Sequence, residues 1–157
     1  MRHSYLFALG SNMRLPRIGP PPRVLEAALA ALEFAGIEVI ASSRVISSRP
    51  LGPSQRLYAN SAALVESDLG PLDLLGTLQS IEQDFGRRRR GSRWRARPLD
   101  LDIVLWSGGA WHSPDLVIPH PAFRQRSFVA GPVAEIAPDW RDPVTGLTLR
   151  QIAGRAS

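Results

Sequence analysis

An α+β domain, built on one antiparallel sheet with helices packed on it, is the fold class this sequence predicts. Three observations carry the prediction. Short β-rich runs and helical patterns alternate in the order β-α-β-β-α-β, with further elements after them. Both helical patterns are closed by a glycine, as helices in compact domains commonly are. The chain has 157 residues, 44% hydrophobic and 21% charged, which suits one domain over residues 1–157 with a core of its own. No repeat, linker or low-complexity stretch divides it.

The elements follow in order. Tyr5-Leu6-Phe7-Ala8-Leu9 is a short apolar strand, and Gly10-Ser11-Asn12 after it is a turn signal. Met13 to Pro22, rich in Pro and Gly, is expected as a loop. Val24, Leu25, Ala28, Leu29 and Leu32 recur at helical spacing until Gly36. Ile37 to Ser47 has the β-branched content of a second strand. Ser48-Arg49-Pro50-Leu51-Gly52-Pro53 interrupts regular structure, because two prolines and a glycine break either ladder. Tyr58 to Val65 returns as a strand on which Tyr58, Asn60 and Ala62 share a face. Pro71 to Phe85 is an amphipathic helix, with Leu72, Leu75, Leu78 and Ile81 as its stripe and Gly86 as its stop. Leu99 to Trp106 is a strand whose apolar second half predicts a central place in the sheet. Gly108-Gly109 is a turn, and Leu116-Val117-Ile118 is a short apolar run before Pro119-His120-Pro121. Phe128 to Ile136 is a helix interrupted or started near Pro132, and Leu147–Ile152 is a weaker helical tail. This order matches the split βαβ, ferredoxin-like arrangement, with helices expected on one face.

Chemistry concentrates in Arg97-Pro98-Leu99-Asp100-Leu101-Asp102. Strand side chains alternate, so Asp100 and Asp102 point to one face with Leu101 on the other. Two adjacent carboxylates repel each other and resist burial unless a cation lies between them. Upstream stand Arg87, Arg88, Arg89, Arg90, Arg93, Arg95 and Arg97 with no acid among them. All 19 basic residues are Arg, and the formal net charge is +5; these seven leave 12 against 14 acids, so the excess is local. A local excess favours a discrete anionic ligand over a nucleic acid or an anionic lipid. Arginine forks match phosphate oxygens two at a time, and magnesium takes one or two carboxylates plus phosphate and water oxygens. A metal–polyphosphate substrate needs both features, which points to phosphoryl transfer. The bland alternatives are a solvated strand edge for the acids and a solvated basic loop for the arginines. Neither explains why the two stand side by side.

Other classes are excluded by what the chain lacks. There is no Lys, hence no P-loop lysine and no Schiff-base mechanism. There is no dinucleotide-binding glycine fingerprint and no nucleophile elbow. Zero Cys and three His leave no thiolate or His-rich metal cluster. The composition carries no bilayer-spanning run and no signal-type cleavage site, so a cytoplasmic protein is expected.

With these residues in view, the chain resembles the 6-hydroxymethyl-7,8-dihydropterin pyrophosphokinase family. The resemblance runs through Ala8-Leu9-Gly10-Ser11-Asn12, Pro50-Leu51-Gly52-Pro53, Tyr58-Ala59-Asn60, Gln79 and Glu82, Gly86-Arg87 and Arg93-Trp94. It continues through Arg97 to Asp102, Ile118-Pro119-His120-Pro121, Arg126-Ser127-Phe128 and Glu135-Ile136-Ala137-Pro138. It implies a ferredoxin-like fold and transfer of pyrophosphate from ATP to the pterin hydroxymethyl oxygen, releasing AMP. It further implies Asp100, Asp102, Arg87 and Arg97 as catalytic, with the two aspartates holding two magnesium ions. Gln79, Glu82, Arg89, Arg93, Trp94, Ile103, His120 and Arg126 would line the ATP side. Tyr58 and Phe128 would sandwich the pterin, Asn60 would bond its polar edge, and Ser48 and Leu51 would border it. The partners implied are ATP and the pterin, with no nucleic acid or membrane, and a monomer. The chain departs from the family pattern at Arg95-Ala96, where Gly-Pro is frequent, at Arg49, where proline is frequent, and in its longer Met13–Pro22 loop. The competing class is a ferredoxin-like RNA- or nucleotide-binding module using the arginines and Trp94, which leaves the acid pair unexplained.

Overall fold

The structure, a computed structural model, describes residues 1–48, 57–86 and 98–156. Its elements are β1 (His3–Ser11), α1 (Pro21–Phe34), β2 (Glu38–Ser42), β3 (Ile46–Ser48), β4 (Tyr58–Ser67), α2 (Pro71–Asp84), β5 (Asp100–Trp106), β6 (Trp111–Ser113), β7 (Leu116–Ile118), α3 (Ser127–Ile136) and α4 (Leu149–Arg155), with one 3₁₀ turn at Phe123–Gln125. The main sheet runs β2-β4-β1-β5, with β3 also paired to β4, and every pairing is antiparallel. That is the split βαβ order expected from the sequence. β6 and β7 form a separate hairpin.

Alternation along the strands sorts the core into two layers. Tyr5, Phe7 and Leu9 of β1, Ala63 and Val65 of β4, and Leu101 and Ile103 of β5 pack against Val24, Leu25, Ala28 and Leu32 of α1 and Leu74, Leu78 and Ile81 of α2. On the opposite face, Leu6, Ala62, Val104 and Leu105 pack against Phe123, Ala130, Val133, Leu149 and Ile152. The helices therefore occupy both faces: α1 and α2 cover one, while α3 and α4 cover part of the other. The Pro-rich C-terminal third hid this, because its short elements carry little periodicity.

Four details differ from the sequence expectation. β5 lies at the sheet edge, not at its centre. Its apolar second half is explained by a bulge, which turns both Val104 and Leu105 toward the second core, and by its outer side, where the His120 N–H donates to the Val104 carbonyl at 3.0 Å. Gly10-Ser11 does not turn; β1 continues through both residues. The expected strand over Ile37–Ser47 is two strands, β2 and β3, separated at Ser43-Arg44-Val45, where the Ser43 hydroxyl accepts from the Ala62 N–H at 2.8 Å. The buried side of α2 is Pro71, Leu74, Leu78, Ile81 and Glu82, so Leu72 stays exposed. Both sequence-predicted helix stops hold: Gly36 and Gly86 adopt φ of +88° and +94°, a region that favours glycine.

Candidate active site

Among the described residues, the second core covers part of the second face of the sheet. Outside that core, one row of paired residues crosses the strands: Ile46 on β3, Asn60 on β4, Gly10 on β1 and Asp100 on β5. Asp102 pairs with Ala8 on the adjacent same-face row. Asp100 and Asp102 thus share a face, as alternation requires, and that face is open at its β5 end: Asp100 is half-buried and Asp102 is exposed, while Gly10 and Asn60 are buried. Their α-carbons are about 7 Å apart by strand geometry, a spacing from which two carboxylates can converge on neighbouring cations.

The acid pair is braced from behind. Glu82, on the last turn of α2, is buried, and its carboxylate accepts the N–H of Leu101 at 2.7 Å. Leu101 lies between the two aspartates, so a side chain under the sheet holds the backbone that carries both. Gln79, one turn earlier on α2, is exposed to solvent. Ile103 has its side chain in the first core, so only its backbone is available to a ligand.

On the β4 side, the buried Asn60 amide donates to the Ser48 hydroxyl at 2.7 Å and to the Tyr58 carbonyl at 3.5 Å. These bonds fix which way the amide points and satisfy the partner requirement of a buried amide. Tyr58 and Phe128 are both half-buried, at the start of β4 and in the first turn of α3. The Arg126 guanidinium lies over the Phe128 ring at 5.9 Å from its centroid.

His120 follows a cis Ile118–Pro119 peptide and hangs on the outer edge of β5 through its backbone bond to Val104. Its Nδ1 accepts the Ala122 N–H at 3.1 Å, which assigns the neutral ring's proton to Nε2. Burial lowers its pKa below the ordinary value of 6.5, opposed by the nearby Asp102 charge and reinforced by Arg126. The ring is therefore a neutral N–H donor at pH 7, beside the acid pair.

Two residues the sequence reading missed hold this segment in place. Arg124, in the 3₁₀ turn between His120 and Arg126, donates Nε and Nη2 to the Asp142 carboxylate at 2.5 and 2.9 Å. Asp142 is fully buried and also accepts from the Val144 N–H and the Thr145 hydroxyl. Burial alone would raise its pKa, but the bonds from Arg124, Val144 and Thr145 hold it at about 2. No local motif marks this pair, because its members are far apart in the chain and each type is common on surfaces.

The structure thus brings together Asp100, Asp102, Asn60, Ser48 and Tyr58 on and around one open face, with Glu82 beneath it and His120 at its edge. Arg87, Arg89, Arg93, Trp94, Arg97 and Leu51 lie outside the described residues. Among the described residues no three His, Asp or Glu side chains converge as a metal cage. The donor set is two carboxylates on one open face. It fits a hard divalent cation whose other ligands are water and phosphate, and not a soft metal.

A family model for 7,8-dihydro-6-hydroxymethylpterin-pyrophosphokinase (HPPK) matches residues 6–138. The chain belongs to this family. The 2-amino-4-hydroxy-6-hydroxymethyldihydropteridine pyrophosphokinase of Synechocystis sp. is 42% identical over 151 residues, covering 96% of this chain and 74% of its own length. The enzyme of the same name from Pseudomonas aeruginosa is 42% identical over 138 residues, covering 87% and 82%. A crystal structure of Plasmodium falciparum HPPK-DHPS matches the fold with a TM-score of 0.70 at 14% identity; it covers 99% of this chain, which spans 43% of the Plasmodium one. As an HPPK, this chain is a diphosphokinase of folate biosynthesis, transferring the pyrophosphoryl group from ATP to hydroxymethyldihydropterin.

Proposed function

We propose that this transfer runs on the open half of the second sheet face, with Asp100 and Asp102 as its centre. The observation that carries the reading is the same-face, outward placement of the two carboxylates on β5, level with Asn60 and flanked by His120. Asp100 and Asp102 would hold two magnesium ions. Bound there, magnesium neutralises triphosphate charge and templates the alignment of nucleophile, phosphorus and leaving group.

The chain's own residues divide the rest of the work. Asn60, its amide fixed by Ser48, bonds the polar edge of the pterin, and Tyr58 and Phe128 take the ring between them. The pterin hydroxymethyl oxygen then attacks the β-phosphorus of ATP, the bond from that phosphorus to the α,β-bridging oxygen breaks, and AMP leaves. The hydroxyl proton is released as the new ester forms. His120 gives its Nε2–H to a phosphate oxygen without bringing a charge of its own. Glu82 keeps the β5 backbone still while charge accumulates in front of it. Arg126 serves the nucleotide side, with Gln79 and the backbone of Ile103. The resemblance assigns Arg87 and Arg97 to catalysis, and Arg89, Arg93 and Trp94 to ATP. Leu51 borders the pterin on the same ground. The same reading takes the protein as a cytoplasmic monomer that acts on small molecules.

A coupled assay for AMP, run with and without the hydroxymethyl pterin and with and without magnesium, tests the reading. AMP is expected only when ATP, pterin and magnesium are all present. AMP formed without the metal would remove the role assigned to the acid pair.

A further inference from the structure

The strand that carries Ser48 has little to hold it in register. Ile46 and Ser47 of β3 are exposed and Ser48 is half-buried, so no buried face selects one pairing over the next. The side chains do not choose either, because Ser47 and Ser48 are alike and a slip of one residue would exchange them beside Asn60. The observed pairing is nevertheless offset. Ser42 pairs with Ala63 and Ile46 with Asn60, so four steps on the outer strand match three on β4. The surplus residue lies within Ser43-Arg44-Val45, and such bulges re-aim the side chains that follow them. Without it, Val45 would stand opposite Asn60, Ser47 would take the place of Ser48, and Ser48 would turn to the other face.

The bulge is held from two sides. On β4, the Ser43 N–H donates to the Ala62 carbonyl at 2.9 Å and the Ser43 hydroxyl accepts the Ala62 N–H at 2.8 Å. The next N–H, that of Arg44, is taken by α3: it donates to Glu135 Oε2 at 2.9 Å, and the Arg44 Nε donates to Oε1 at 3.1 Å. Glu135 stands on the last turn of α3. The Arg44 N–H, with the guanidinium behind it, holds this carboxyl below its ordinary 4.5 against partial burial, so it is a charged acceptor at pH 7. We infer that Glu135 is a positioning residue for the transfer: its grip on the Arg44 N–H pins the surplus residue, so that Ser48 and not Ser47 meets the Asn60 amide. The inference rests on the pterin placement proposed above. Glu135 acts through β3 on the amide that bonds the pterin's polar edge. The nucleotide side, at β5 and His120, does not depend on it.

Glu135→Ala, Glu135→Gln and Arg44→Ala, measured beside wild type, test this. Glu135→Ala should raise the KM for hydroxymethyldihydropterin by about fivefold or more, while affinity for magnesium α,β-methylene-ATP stays within about twofold. Glu135→Gln keeps an oxygen acceptor for the Arg44 N–H and should recover most of the loss. Arg44→Ala keeps that N–H and loses only a side chain that is 84% exposed, so its pterin KM should stay within about twofold of wild type. In nuclear magnetic resonance, the cross-strand contact of Ile46 with Asn60 should give way in Glu135→Ala to one of Val45 with Asn60. On that background Ser47→Ala, silent in the wild-type chain, should raise the pterin KM further. Wild-type register in Glu135→Ala would overturn the inference. So would pterin and nucleotide affinities that fall alike, or a Glu135→Gln as impaired as Glu135→Ala. Asn60→Ala separates the pin from the site. An unchanged pterin KM in that variant would sink the placement of the pterin, whereas an impaired Asn60→Ala beside an unimpaired Glu135→Ala would sink only the pin.

Discussion

One face of one sheet carries two kinds of surface. Toward one end, Leu6, Ala62, Val104 and Leu105 are buried beneath α3 and α4. A few residues along the same strands stand Gly10, Asn60, Asp100 and Asp102, outside that core cluster. Backbone pairing is continuous through both halves, so the change is made entirely by side chains. The covered half is apolar because burial of apolar area stabilises the fold. The other half gathers two carboxylates, which burial would penalise, and an amide that is buried only with its bonds to Ser48 and Tyr58. The comparison separates two tasks on three strands, and each half should fail in its own way.

The largest expected effect lies on the open half. Asp100→Asn and Asp102→Asn should each lower turnover by about a thousandfold or more, since removing preorganised charge stabilisation has costs of that order. Neither should lower the melting temperature by more than a few degrees, as judged by calorimetry. Loss of folding in place of turnover would erase the distinction between the halves.

On the covered half, the Arg124–Asp142 pair predicts the opposite pattern. Arg124→Ala leaves a buried carboxylate without its guanidinium and should cost about 3–5 kcal/mol in denaturant unfolding. The folded fraction should keep its turnover within a few-fold. The pair also sets an acid limit. Asp142 is held at about 2 against an ordinary 3.8, so its stabilisation is complete above pH 3.8 and is lost as pH falls toward 2. Asp142→Asn should remove that dependence from the unfolding profile.

Glu82 joins the two regions, being buried beneath the sheet yet bonded to the N–H between the acids. Glu82→Ala should lower stability by about 1–3 kcal/mol, the cost of an orphaned buried donor. It should also raise the magnesium concentration needed for half-maximal rate. Glu82→Gln retains a carbonyl acceptor and should recover most of both. A stability loss with an unchanged magnesium requirement would make Glu82 a fold residue only.

How much of this was legible in the sequence depended on range. The period-2 spacing of Asp100 and Asp102 is a local property, so their shared face could be read from the residues alone. The helix stops at Gly36 and Gly86 were legible for the same reason. The edge position of β5 was not, because the bulge at Val104 and the bond from His120 depend on partners brought in by the fold. Gly10 read as punctuation because glycine is the commonest turn former; only its register with Asn60 and Asp100 shows it inside a strand. Glu82 carried a family expectation toward ATP, but its bond to Leu101 appears only once α2 is seated under the sheet. Arg124 and Asp142 had no signal beyond two ordinary charged residues.

The central claim is that two carboxylates on the bare half of this face bind the divalent cations of the reaction. A manganese titration followed by electron paramagnetic resonance, with α,β-methylene-ATP bound, reads this most directly. Two protein-held ions are predicted for the wild-type chain, and loss of both from the Asp100→Asn/Asp102→Asn double variant at unchanged melting temperature. Equal manganese stoichiometry and affinity in the two proteins would contradict the account.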